Sequence, residues 1–157
     1  MKKPKASEPS PFKYEADDSP GFLLWRVIAL WQRKLAGIFG EFGITQTQFA
    51  ILASLRWFEL QQEPPTQVRL VEHAKIDKMT LSKAIRKLEA NGYVLREASV
   101  SDTRAIQIRF TDNGRQLIHQ AIIAVECADD EFFSCLTEQQ LASFKTLGIS
   151  IIAGNSP

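Results

Sequence analysis

The sequence predicts a mainly α-helical fold with one small β-hairpin, an α+β chain. Six stretches carry apolar residues at every third or fourth position, the period of a helix with a buried face. Two short runs, Tyr93 to Glu97 and Ala105 to Phe110, are rich in strand-forming residues, and the second alternates apolar and polar side chains. The chain has 157 residues, of which 45% are apolar, so it can bury one core.

The N-terminal region is predicted to be an arm followed by a helix. Residues 1–18 mix prolines, serines and charges of both signs, which predicts a flexible arm. Ser19 and Pro20 can start a helix, because serine caps free backbone amides and proline suits the first helical position. The helix that follows, up to Gly43, is apolar around most of its circumference. Such a helix is buried from more than one side, and we expect the second side to be another chain.

Caps and prolines delimit the next two predicted helices. Thr45 and Gln48 have the spacing of a capping box, and Pro64 and Pro65 end the helix that they start. Thr66 then caps a short third helix. A turn of three residues separates this helix from the next one.

The fourth predicted helix covers residues 78–91, with Asp77 as its N-cap and Gly92 beyond its C-terminus. The two strand-like runs follow, joined by the polar loop SVSDTR, so an antiparallel hairpin with a projecting tip is expected. On the second run, Ile106 is expected to face inward with Ile108. Two helices joined by a tight turn and followed by a hairpin form a winged helix-turn-helix.

Two more helices complete the prediction. Thr111 caps a fifth helix over residues 112–133, and Thr137 with Gln140 forms a capping box that opens a sixth. The fifth helix has an apolar stripe, and so does the sixth.

The fourth helix has one apolar face and one polar face. At 100° per residue, its leucines and isoleucine share one arc with Ala84. The opposite arc combines two cations, a hydroxyl and a flexible apolar chain, which suits the major groove of DNA. A plain amphipathic surface helix is the alternative. The residues of the polar arc are Met79, Ser82, Lys83 and Arg86.

The tip of the hairpin offers a second DNA contact. Arg104 lies at its end, and a guanidinium on a projecting loop can enter a narrow minor groove. Asp102 lies two residues earlier and can orient that guanidinium. The alternative is a surface ion pair that contributes ~0–1 kcal/mol.

The charge distribution also favours a polyanionic partner. The net charge of the whole chain is +1, which by itself predicts no partner. Residues 66–115 carry ten basic and six acidic side chains, whereas residues 116–157 carry one and five. A basic middle of this kind indicates contact with nucleic acid, although a solvated basic face would give the same count.

Two stretches of the sequence resemble the MarR family of bacterial transcription regulators. They are GITQTQFAILASL and LVEHAKIDKMTLSKAIRKLEANGYVLREASVSDTRAIQIRFTDNGRQLI. The most specific motifs are L-E-x-x-G-Y at 88–93, the D-x-R of the hairpin tip, and F-T-x-x-G at 110–114. The resemblance extends over about residues 19–152.

The resemblance implies a homodimer that binds a pseudo-palindromic operator. Residues 19–44 and 111–157 would form the dimerisation helices, and residues 45–110 the winged helix-turn-helix lobe, within one unit that spans 19–157. The two recognition helices would enter successive major grooves about one helical turn apart. The implied DNA-binding residues are Met79, Thr80, Ser82, Lys83 and Arg86 in the groove, Lys78 and Lys87 at phosphates, and Arg104 with Asp102 on the wing.

Many members of the family respond to a small aromatic or lipophilic molecule. The resemblance implies a cavity for such an effector between the dimerisation region and the DNA-binding lobe. The same aromatic side chains at helical spacing are, as an alternative, ordinary core residues. The candidates are Trp25, Trp31, Phe39, Phe42 and Phe49.

No catalytic or metal-binding motif stands out in the sequence. It contains no nucleotide-binding loop, no G-x-S-x-G and no H-E-x-x-H, so we expect neither an enzyme nor a cofactor. His73 and His119 fall on different helices, which argues against a metal site. Cys127 and Cys135 are placed late in the fifth helix, ~12 Å apart and too far to bridge, as buried or half-buried thiols without support for a redox role.

The sequence thus predicts a DNA-binding transcriptional regulator, in the first place a repressor, that is dimeric and ligand-responsive. A winged-helix module for protein–protein contact and a small-molecule carrier are the alternatives from other classes. No apolar stretch reaches the ~20 residues of a membrane span, and the N-terminus lacks the pattern of a signal peptide. The expected location is therefore the cytoplasm.

Overall fold

The computed structural model describes residues 11–99 and 105–156. Within these ranges it contains six α-helices and one antiparallel hairpin, so the predicted fold class is confirmed. A short 3-10 helix, Ala16–Asp18, ends the segment predicted as an arm, and residues 1–10 of that arm lie outside the described ranges. The elements in chain order are α1 (Pro20–Glu41), α2 (Gln46–Leu60), α3 (Gln67–Ala74), α4 (Lys78–Ala90), β1 (Val94–Ala98), β2 (Ile106–Phe110), α5 (Asp112–Phe133) and α6 (Glu138–Asn155).

The predicted caps start the helices as expected. The Thr45 hydroxyl accepts from the backbone N–H of Gln48, and the Gln48 side chain accepts from the backbone N–H of Thr45. Thr137 and Gln140 repeat this reciprocal arrangement at the start of α6. Each pair satisfies two backbone N–H groups that a helix end leaves without a partner.

Several predicted boundaries were wrong by one or two residues. Helix α1 ends at Glu41 and α4 at Ala90, because Gly43 (φ 64°) and Gly92 (φ 75°) adopt left-handed backbone conformations that terminate helices. Both strands begin one residue later than predicted.

The hairpin and the helices α2 to α5 enclose one core. Strands β1 and β2 pair in antiparallel register from Val94 opposite Phe110 to Ala98 opposite Ile106. The inward face of β2 becomes more exposed toward the hairpin tip. Ile106, which was expected to face inward, is 42% exposed, whereas Ile108 is fully buried. The core residues are Ile51, Leu52, Leu55, Phe58, Leu70, Leu81, Ile85, Leu88, Val94, Ile108, Phe110 and Ile118.

The start of α5 is hydrogen-bonded to Gly92 and Tyr93, the two residues that precede β1. The backbone N–H of Thr111 donates to the Tyr93 carbonyl at 3.1 Å, and the Thr111 hydroxyl donates to the Gly92 carbonyl at 2.6 Å. A Cβ on Gly114 would lie 1.9 Å from the Tyr93 carbonyl oxygen, so only glycine fits there. The G-Y and T-x-x-G motifs are thus the two sides of one backbone contact.

The chain divides into two compact units, one up to Arg33 and one from Lys34 onward. In the first unit, Arg26 forms an ion pair with Asp17 at 2.7 Å. In the second, Lys34 forms an ion pair with Glu131 of α5 at 2.6 Å, which lowers the pKa of that carboxyl through its hydrogen bond and charge. Within the described residues, every helix is too short or too polar to span a bilayer.

Candidate nucleic-acid interface

Helix α4 presents a polar face to solvent because its apolar face is fixed in the core. Leu81, Ile85 and Leu88 are fully buried. The side chains on the other side of the helix point away from the core. The division between apolar and polar arcs that the sequence predicted is confirmed by these burials.

We call the outward residues of α4 the recognition face. Met79 is 79% exposed, and only Ser82 among the recognition-face residues is half-buried. Asp102 and Arg104, the predicted wing contacts, lie outside the described residues. The recognition face comprises Lys78, Met79, Thr80, Ser82, Lys83, Arg86 and Lys87.

The four cations of the recognition face differ from the other arginines that the structure describes in the second unit, although Lys75 and Lys145 also have no ion pair there. Arg56, Arg69, Arg96, Arg109 and Arg115 all form ion pairs with carboxylates. No salt bridge is found for the α4 cations within residues 11–99 and 105–156. Their charge is therefore available to an external anion. These four residues are Lys78, Lys83, Arg86 and Lys87.

Asp77 fixes the N-terminus of α4 without neutralising its cations. Its side chain accepts from the backbone N–H of Thr80 at 2.9 Å. Hydrogen bonds from the Thr80 side chain and backbone hold the pKa of Asp77 below its ordinary value. The ionised carboxylate caps the positive end of the helix dipole. The helix is thereby held in register at the end that carries Lys78 and Met79.

The hairpin is braced against α4. Arg96 on β1 donates to Glu89 on α4 at 2.7 Å. Arg109 on β2 pairs across the hairpin with Glu97 at 3.1 Å. Strand β2 also receives support from the segment before α3, since the backbone N–H of Ile108 donates to the Pro65 carbonyl at 3.0 Å. These contacts hold the base of the wing.

The structure brings together two of the five aromatic residues predicted for an effector site. The rings of Phe39 and Phe49 lie 4.9 Å apart, and Phe39 is 3% exposed. Phe42 is half-buried in the same unit. Trp25 and Trp31 belong to the first unit, where Trp25 contacts Phe22 at 5.8 Å between ring centroids.

Three of the cavities in the described part of the chain are lined by residues that follow Lys34. They measure about 290, 480 and 510 Å³. None of the three is lined by the five aromatic residues. The effector site therefore stays a prediction.

The burial predicted for both cysteines was wrong, and so was the placement of Cys135, whereas Cys127 lies late in α5 as predicted. Helix α5 ends at Phe133, so Cys135 lies beyond it, where Ser134 caps the helix. Cys127 and Cys135 are both exposed free thiols. The apolar stripe of α5 does not include them, which explains their exposure. The described residues contain no cluster of side chains suited to hold a metal ion.

Sequence reasoning missed two clusters. His73 of α3 stacks on Trp57 of α2, with ring centroids 4.7 Å apart. Glu59 of α2 forms ion pairs both with Arg56 of the same helix and with Arg115 of α5. Residues 59 and 115 are far apart in sequence, and no periodicity within either helix could indicate their contact.

Comparison with known proteins supports the resemblance found in the sequence. A family model described as MarR family matches residues 44–106. An HTH-type transcriptional repressor of Mycobacterium tuberculosis is 33% identical over 133 residues, which cover 84% of this chain and 93% of the relative. The chain belongs to the MarR family. Another relative, the HTH-type transcriptional regulator YdcH of Bacillus subtilis, is 32% identical over 78% of this chain and 83% of its own length.

Solved structures share the fold of this MarR-family chain. A mutant of MarR from E. coli complexed with operator DNA matches with a TM-score of 0.73 and 24% identity, over 84% of this chain and 92% of the other. BpsR of Bordetella bronchiseptica matches with a TM-score of 0.76 and 21% identity, over 92% and 99%. The MarR-family fold is thus the winged helix-turn-helix that the sequence predicted. The curated relatives are named as transcriptional regulators, which agrees with the prediction that the chain is not an enzyme.

Proposed function

We propose that this MarR-family transcriptional regulator is a repressor that binds a pseudo-palindromic operator as a homodimer in the cytoplasm. The unpaired cations of the recognition face are the observation that carries the proposal. Cations that have no ion-pair partner among the described residues can displace counterions from phosphates and reach guanine edges. One relative is named a repressor, which supports repression as the effect of binding.

The recognition face has the composition that base reading requires. Arg86 and Lys83 can donate to guanine, Ser82 and Thr80 can bond to several bases, and Met79 can contact a thymine methyl group. Lys78 and Lys87 flank these residues and are assigned to phosphates, which position the protein without reading sequence. Arg104, oriented by Asp102, is proposed to enter the minor groove from the wing.

The apolar surfaces of two helices support a homodimer. No residue of α6 is buried in the single chain, although the helix contains leucine, isoleucine and phenylalanine. The first three turns of α1 are similarly exposed. Large contiguous apolar surfaces mark protein interfaces. The exposed apolar residues are Leu23, Leu24, Trp25, Val27, Ile28 and Leu30 on α1, and Phe144, Leu147, Ile149, Ile151 and Ile152 on α6.

A small aromatic or lipophilic effector is the third part of the proposal. The structural neighbour BpsR is described as regulated by 6-hydroxynicotinic acid. In this chain the neighbouring rings of Phe39 and Phe49, with Phe42 nearby in sequence, form the apolar cluster assigned to such a molecule. Trp25 and Trp31 are assigned to the same site on the basis of the family resemblance.

The experiment measures binding to an operator that the wild-type protein selects from random duplexes. Arg86→Ala and Lys83→Ala should each weaken this binding by ~1–3 kcal/mol, because each removes a contact to a base. Lys145→Ala on α6 is the control, since it removes a cation that is far along the chain from the recognition face. Wild-type affinity should also fall steeply with salt concentration.

Two results would reject this assignment. If Arg86→Ala and Lys83→Ala bind the selected operator as tightly as the wild type, α4 does not read the bases. If the wild-type protein selects no sequence at all, the chain is not a sequence-specific regulator, and the protein–protein role becomes the better interpretation.

A further inference from the structure

The junction between the winged lobe and α5 contains a directional contact that the proposed DNA binding does not use. Through the contacts described above, Thr111 and Gly114 fix where α5 begins. These contacts at the N-terminus of α5 fix the position of that end, but they do not fix the direction of the helix axis. The apolar contacts of Ile118 and Ala121, both fully buried, hold α5 against the lobe. Apolar contacts are non-directional, so they resist separation of the two elements more strongly than a small change of tilt.

Arg115 of α5 makes directional contacts with Glu59 of α2, and these can fix the direction of the α5 axis. Its Nε donates to the Oε1 oxygen of Glu59 at 2.9 Å, and its Nη2 lies 2.8 Å from the same oxygen in an ion pair. Its Nη1 donates to Asp112 at 2.9 Å, so three nitrogens of the planar guanidinium are held. Charge-assisted hydrogen bonds of this kind impose geometry as well as attraction.

Glu59 is itself held in place on α2. Its other oxygen, Oε2, accepts from Arg56, which lies one turn earlier on the same helix. Partial burial raises the pKa of Glu59, but the hydrogen bonds and charges of Arg115 and Arg56 outweigh this effect and the pKa lies below its ordinary value. Glu59 is therefore ionised throughout the physiological range, and its position is fixed from two sides.

A cavity lies beside this ion pair. It measures about 290 Å³, and its lining includes Glu59 and Arg115 together with Leu55 and Phe110. Packed interiors resist displacement, whereas an unfilled space offers room for a side chain or helix to shift. The ion pair therefore borders an unfilled space where the end of α2 meets the start of α5.

We propose that the Glu59–Arg115 ion pair is the positioning contact that sets the angle between the lobe and α5, and through it the half-site spacing that the dimer accepts. The second part rests on the proposed function. In a dimer held together by α1, α5 and α6, a change in this angle moves the two recognition faces relative to one another. Glu59 and Arg115 contact no base in this scheme, and they act only through the geometry of α4.

The first experiment measures discrimination between operators. Wild-type affinity is compared for the selected operator and for versions whose half-sites are one base pair closer or farther apart. In Glu59→Gln and Arg115→Gln, the ratio of affinities for correct and altered spacing should fall roughly 2- to 30-fold, the range seen for coupling contacts. The double variant Glu59→Gln with Arg115→Gln should lower the ratio no further than either single variant, because all three remove the same contact.

Glu63→Gln is the matched control. Glu63 lines the same cavity and pairs with Arg69 at 2.8 Å, but both residues belong to the lobe. The control should keep the wild-type ratio. An unchanged ratio in Glu59→Gln and Arg115→Gln, or an equal fall in Glu63→Gln, would overturn the proposal.

The second experiment does not depend on DNA. Spin labels are placed at Ala90→Cys on α4 and Gln120→Cys on α5, in a chain whose Cys127 and Cys135 are replaced by serine. Labelled chains are diluted into unlabelled ones, so that the measured distance lies within one chain. The distance distribution should widen or shift in Glu59→Gln and not in Glu63→Gln, and an unchanged distribution rejects the positioning role even if operators are bound. A shift in a protein that selects no operator rejects the proposed function alone.

Discussion

The winged lobe and the helices α1 and α6 follow the same apolar periodicity but bury their side chains to very different extents. In the lobe, Leu81, Ile85 and Leu88 are completely shielded by the chain itself. On α6, Leu147 is 63% exposed and Ile152 67%. The lobe is therefore self-sufficient, whereas the apolar faces of α6 and of the first three turns of α1 need further surface to cover them. The comparison separates the part of the molecule that folds around its own core from the part assigned to assembly.

The largest expected effect tests whether the lobe is self-sufficient. Leu81→Ala should lower the free energy of unfolding by about 2–5 kcal/mol, because it removes buried apolar contacts and leaves a cavity. Urea denaturation at fixed protein concentration measures this change. Met79→Ala on the exposed side of the same helix should change stability by less than about 0.5 kcal/mol. Equal losses in the two variants would contradict the assignment of the faces of α4.

The second prediction tests whether α6 is completed by another copy. Leu147→Glu should raise the dimer dissociation constant about 100-fold or more, which corresponds to ~3 kcal/mol, because a carboxylate would be buried without a partner. Sedimentation over a range of concentrations measures the constant. Thr146→Glu puts the same group on the arc of α6 that carries none of the exposed apolar residues named for the interface, and it should leave the dimer intact. A Leu147→Glu protein with wild-type mass would remove α6 from the proposed interface.

The smallest expected effect lies at the border between the lobe and α5. The pKa of Glu59 is lowered in the folded chain, so its ion pair contributes stability above the pKa of the unfolded chain, ~4.3. That contribution, about 1 kcal/mol or less for a partly exposed pair, is lost as the pH falls through the lowered folded value. The stability difference between wild type and Glu59→Gln should be constant above about pH 5 and shrink below it. Thermal unfolding at several pH values measures this difference. A stability difference that grows in acid would contradict a lowered pKa for Glu59.

Local rules predicted most of the fold. Capping residues such as Thr45, Thr111 and Thr137 start the helices at the predicted positions, because a cap satisfies backbone groups within three residues of itself. The ends were less accurate, as at α4, since the last turn depends on where the chain goes next. The cysteines were misjudged for a similar reason, because burial depends on which face of α5 meets the lobe.

The candidate site could be predicted only in part, because the sequence shows which residues share a helix face but not which residues lie near them in space. The recognition face follows from helical geometry once α4 is identified, so Lys83 and Arg86 could be named from the sequence. The absence of ion-pair partners for these cations within the described residues could not be named, because it depends on which carboxylates lie nearby in space. The effector site and the wing contacts stay predictions.

The sequence alone determined the order of the elements, the polarity of α4 and the motifs that mark the start of α5. These features depend on interactions between residues that are near one another along the chain. Only the tertiary structure decided that Gly114 must pass against the Tyr93 carbonyl and that Arg115 reaches Glu59 on α2. Contacts of this kind depend on the packing of elements that are distant in sequence, and the periodicity of a single helix contains no information about them.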